Sequence, residues 1–141
     1  MDRFLEANPL ESAMPELLPK KAQSPMSLLD EALAELRPYP ELQAALWLYI
    51  DDLERSHAIS QGIAGPVGAY WHGIMHRREG DFWNSKYWFR QAQTIDLAIP
   101  GYDPSAFVDQ VEAAGGANPP DLVEMQRKEW IALFNYCVEA R

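Results

Sequence analysis

Apolar residues recur along most of the chain at steps of three and four, the period of a helix with one buried face, and no segment alternates as a strand would. Six helices follow from this. The first runs from about Ser27 to Arg37, with Leu29, Ala32, Leu33 and Leu36 as its stripe and Pro38 and Pro40 as its stop. The second, about Glu41 to Gln61, carries Leu42, Leu46, Tyr49, Ile50 and Leu53 on one side. Asp51 and Arg55 lie four apart on the other side and read as a solvated pair. Gly62, Gly65 and Pro66 then break the chain.

The third helix spans about Val67 to Glu79 and stops at Gly80. Asp81 caps the fourth, about Phe82 to Leu97, whose stripe is Ser85, Trp88, Phe89, Ala92 and Ile95. Asp103-Pro104 starts a fifth helix that ends at Gly115, and Asn118-Pro119 starts a sixth that buries Leu122, Trp130, Leu133, Phe134 and Cys137. Short connections predict antiparallel packing of neighbours. The expected fold is all-α, a compact bundle formed by residues 26–141 as one helical domain. Residues 1–25 hold Pro9, Pro15, Pro19 and Pro25 and are expected to form an extended arm, with Leu10, Leu17 and Leu18 available to dock it.

Composition narrows the function more than the fold. With 141 residues, 48% hydrophobic and 23% charged, the chain can bury a core unaided. A net charge of −9 repels phosphate backbones and anionic lipid, so neither nucleic acid nor membrane is an expected partner. Cys137 is the only cysteine, which excludes an intrachain disulfide and a thiolate metal cage. No apolar run reaches the roughly 20 residues of a membrane span, and no secretory leader is evident, so a cytoplasmic location is expected.

Within residues 66–97, Gly73, the turn Gly80-Asp81-Phe82, and then Ser85, Phe89 and Ala92 match the small, turn, small, aromatic and alanine positions of one hairpin unit. The segment resembles a tetratricopeptide-type helical hairpin. Ala69, His76 and Leu97 depart from that pattern, and no second copy follows. The longer string Trp71-His72-Gly73-Ile74-Met75-His76-Arg77-Arg78-Glu79, continued by Asn84 and Lys86-Tyr87-Trp88-Phe89-Arg90, is similar to a family of helical proteins sharing that core. The first resemblance implies an interaction module; the second implies a helical fold and no particular activity.

Two sets of side chains carry candidate chemistry. His72, His76 and Glu79 follow at i, i+4 and i+7 on one helical face, and His57 prolongs the stripe of the preceding helix toward the same interior. Together they are a donor set for a divalent transition metal such as zinc, iron or nickel. The plainer reading makes them packed, hydrogen-bonded histidines beside a surface ion network of Arg77, Arg78, Glu79 and Asp81. The second set is aromatic and cationic: Arg77, Arg78, Trp83, Asn84, Tyr87 and Arg90 form a candidate binding surface, since Trp, Tyr and Arg anchor protein interfaces. No phosphate loop and no nucleophile–base pair can be assembled. The leading expectation is therefore a non-enzymatic module that binds a protein partner and needs no cofactor. The alternative is a metal- or small-ligand-binding protein, a metal-dependent enzyme included, built on His57, His72, His76 and Glu79.

Overall fold

A computed structural model describes residues 1–24 and 26–141; Pro25, the last of the arm's prolines, lies outside them. The described residues are all helical or irregular, with no strand. The helices are α1 (Asp2–Ala7), α2 (Leu29–Glu35), α3 (Pro40–Tyr49), α4 (Leu53–Ser60), α5 (Pro66–Glu79), α6 (Phe82–Gln91), α7 (Pro104–Ala114) and α8 (Pro120–Ala140). None is long and apolar enough to cross a membrane.

α5 lies at the centre. Every residue from Gly68 to Arg78 is buried, because α3, α4 and α6 surround it and Glu129 and Trp130 of α8 reach Tyr70, Arg77 and Trp71. Gly80, at φ 87°, ends it in a left-handed cap whose successor, Asp81, returns its N–H to the His76 carbonyl at 2.9 Å. Asp81 then caps α6, so two residues reverse the chain. The close contact of this antiparallel pair is at Gly73, where a Cβ would lie 2.7 Å from the Phe89 ring. Ser85 Oγ fastens the same point by donating to the Gly73 carbonyl at 2.7 Å. On the other side Trp130 of α8 donates its indole N–H to the Ala45 carbonyl of α3 at 2.8 Å and packs on Tyr49 and Phe134.

The expected helix over 41–61 is two helices. The chain turns at Asp51, which takes the left-handed conformation (φ 64°), and restarts at Asp52, whose carboxylate accepts from the Arg55 N–H at 3.1 Å. Asp51 is 2% exposed and pairs with Arg78, so the solvated Asp51–Arg55 pair does not exist. α6 stops at Gln91 rather than Leu97: Thr94 and Ile95 are β-branched, and the Asp96 carboxylate takes the Ala98 N–H at 2.8 Å in a local turn. α2 begins two residues late, after Leu28 in the left-handed region.

The arm is not simply extended. Six residues suffice for α1 before Pro9 intervenes, and the arm then docks along the bundle. Phe4 is buried edge-on against Tyr49 at 5.7 Å, and Met14 and Leu17 are each 1% exposed. Its backbone is also claimed from the far end of the chain. Gln126 donates to the Met14 and Glu16 carbonyls and Arg127 to Ala13, while Asn118 Oδ1, expected to cap α8, accepts from the Leu17 N–H at 2.8 Å.

Candidate metal centre

α4 delivers His57, and α5 delivers His72 and His76 one turn apart. Ser56 fixes the height of α4 by donating to the Ala44 carbonyl of α3 at 2.9 Å, and this sets the neighbouring His57 against α5. The three rings meet. His57 stands edge-on to His72 at 4.8 Å and to His76 at 5.5 Å, while His72 and His76 stack at 4.8 Å with planes 15° apart. One ring nitrogen from each of the three can be chosen so that all lie within 4.8 Å of one another.

Glu79, expected as a fourth ligand, instead grips His76. Its Oε1 lies 2.6 Å from Nδ1, with Asp81 Oδ2 at 3.9 Å. A carboxylate beside Nδ1 leaves Nε2 as the ring nitrogen away from it, the arrangement that orients imidazole ligands of metals. His72 is also prepared. Burial, then the neighbouring His76 and His57, pulls its pKa down to about 4, so at neutral pH it is an uncharged lone-pair donor. Its ring lies between His76 and the Trp88 indole, stacked on the latter at 4.1 Å and 9°. Trp88, assigned by its periodicity to the core, is thus half-buried and orients a histidine.

The fit to an ion is a question of distance. Three nitrogens bound at about 2.0–2.1 Å in a tetrahedral shell are roughly 3.4 Å apart. The nitrogens of the cluster, within 4.8 Å of one another, must close by up to about 1.4 Å to reach that shell.

The predicted interaction surface is divided. Arg77 and Arg78 are wholly buried, not on the surface. Arg77 donates to Glu129 at 2.8 Å and lies over the Phe107 ring at 4.7 Å. Glu129 also accepts from the hydroxyls of Tyr70, at 3.0 Å, and Tyr102. Arg78 donates to Asp51 at 2.5 Å, to the Leu48 carbonyl at 2.7 Å and to the Glu16 carbonyl at 3.0 Å. These cations are structural because α5 is enclosed on all sides. Of the remaining four residues, Asn84 is committed to the α6 N-cap through Asp81 at 2.6 Å. Trp83, 74% exposed, and Tyr87, 39% exposed, stand on the outer face with ring planes 9° apart, and Arg90 lies 6.0 Å from the Tyr87 ring. Cys137 is buried, and burial pushes its thiol up to about 12, which removes it as a nucleophile.

Comparison with protein-family models, with curated proteins and with solved structures finds no match to the chain.

Proposed function

We propose that the protein binds one divalent transition metal, zinc or an ion of similar preference, through His57, His72 and His76, with Glu79 as the carboxylate that orients His76. The observation that carries this is the meeting of three imidazoles from two helices in a half-buried site. Packing alone gives little reason to gather three titratable rings against one another, since each protonation there opposes the next. An ion held between their lone pairs turns the same proximity into attraction.

Titration of metal-free protein with Zn²⁺, followed by calorimetry, and with Co²⁺, followed by its visible absorption, is expected to end at one ion per chain. His57→Ala or His76→Ala should weaken binding by at least about 100-fold. Glu79→Gln, which leaves the three ligands in place, should cost about 10–100-fold. Absence of a stoichiometric site, or equal affinity in the His76→Ala variant, refutes the proposal.

A second reading rests on the stacked Trp83–Tyr87 pair: this outer face of α6, with Arg90, docks a protein partner. Large exposed aromatics with a neighbouring Arg have the composition of an interface anchor. A Trp83→Ala/Tyr87→Ala double variant should keep its thermal midpoint within about 2 °C, as surface positions do, and lose the partner. A large drop in the midpoint would make the pair part of the packing instead.

A further inference from the structure

Three imidazoles do not fill the coordination shell of a zinc-like ion, which takes at least four ligands. What completes the shell is decided by the space beside it. His72 belongs both to the imidazole cluster and to the wall of a groove of about 360 Å³ between the α4–α5 connection and α6. That volume is within the range of small-molecule sites, about 300–1,000 Å³. The groove is also lined by Tyr87, Trp88 and Gln91 of α6 and by Ser60, Gln61 and residues 63–66 of the connection.

The lining has a definite chemistry. Among the described residues no Asp, Glu, Lys or Arg contributes to it; the polar groups are the neutral side chains of Ser60, Gln61 and Gln91 beside the imidazole. Tyr87 and Trp88 supply aromatic surface at 85° to one another, a corner that a flat body can enter while the neutral polar groups hydrogen-bond its edge. A charged molecule would find no counter-ion there other than the metal.

We infer that this groove is a ligand site continuous with the metal centre, and that it takes a small, flat, uncharged molecule that places one nitrogen or oxygen donor on the ion while its body occupies the corner between Tyr87 and Trp88. The inference rests on the metal-binding reading and adds to it an open coordination position and a direction of approach. In the Co²⁺-loaded protein the donor atom replaces a solvent ligand; no bond in the ligand is made or broken.

The test uses two probes, imidazole as the donor alone and phenylimidazole as donor plus flat body. Both are added to the Co²⁺-loaded full chain and followed through the cobalt absorption bands. Phenylimidazole is expected to shift the bands and to bind at least tenfold more tightly than imidazole. Gln91→Trp and Ala64→Trp, each placing a ring at an exposed edge of the groove, should weaken phenylimidazole by at least tenfold while Co²⁺ affinity and imidazole binding persist. If Co²⁺ binds but neither probe moves the bands, the shell is closed and the inference fails. If both probes bind equally, or both variants leave phenylimidazole unaffected, the donor reaches the metal by another route and the groove is not its site. Failure of Co²⁺ itself to bind overturns the metal-binding reading, and this inference with it.

Discussion

Glu129 accepts from a guanidinium and two phenols in a space from which water is excluded, and each partner is itself buried or nearly so. Burial, followed by the Glu129 charge, holds the Tyr70 and Tyr102 hydroxyls protonated far above their ordinary range. Arg77 keeps its own charge because Glu129 and the phenols outweigh the cost of its burial. Removing one member strands the others. Arg77→Met and Glu129→Leu should each cost about 3–5 kcal/mol, whereas the double replacement should cost less than either, because it leaves no lone buried ion. Urea unfolding of the three variants measures this, and additive losses would show that the pair does not act as a unit. The quartet was partly visible in the sequence. Gln126, Glu129, Leu133 and Cys137 follow at helical spacing with Trp130, so an acidic residue stands on an apolar stripe. A carboxylate there demands a buried cation. Arg77 is not distinguishable as that cation from periodicity, since a run of two arginines beside Glu79 reads equally well as a solvated end.

The helices bounded by caps and turn residues were legible, α5 among them, whereas the burial of α5 on every side was not. The Asp81 and Asp103 caps, the Gly80 and Gly115 endings and the antiparallel α5–α6 pair follow from local chemistry, so their positions could be read directly. The burial of α5 is different. Its His, Arg and Gly residues give it no amphipathic face, and only the surrounding helices make it central. The α3–α4 break was hidden for a related reason. Asp51 adopts a left-handed conformation that nothing in its immediate sequence requires, and the partner that rewards it, Arg78, lies on another helix. For the candidate metal site, i, i+4 spacing on α5 placed His72 and His76 together, and the stripe of the preceding segment placed His57 toward them. The role of Glu79 was missed because spacing places a carboxylate on a face without saying which atom it meets.

Considered as a whole, the protein should resist alkali up to a point set by its interior. Burial raises Tyr49 to about 12, with Glu11 adding to the effect, and raises Cys137 to about 12. Tyr70 and Tyr102 move in the same direction. In the unfolded chain these groups ionise near their ordinary values of 9.0 for the thiol and 10.0 for the phenols. Below those values both states hold their protons, and the stability is fully present. As pH rises through the interval up to about 12, the unfolded chain alone releases protons, so unfolding is favoured. The urea midpoint should stay level to about pH 9 and then fall steeply, and phenolate absorbance from the three buried tyrosines should appear together with loss of helix. Ionisation of all six tyrosines with helix intact would contradict the enclosed positions of Tyr49, Tyr70 and Tyr102.

The hydrogen bonds from Gln126 and Arg127 to the carbonyls of Ala13, Met14 and Glu16 join positions more than a hundred residues apart. They also impose an order of events in time. During synthesis the arm leaves the ribosome before the groups that fasten it, which lie more than a hundred residues further along. Until α8 is made, Met14 and Leu17 have only part of their enclosure, and the nascent chain carries an uncovered apolar strip. Such late, long-range closure slows folding and leaves a window for capture by chaperones. The arm is thereby made well before the groups that hold it in place.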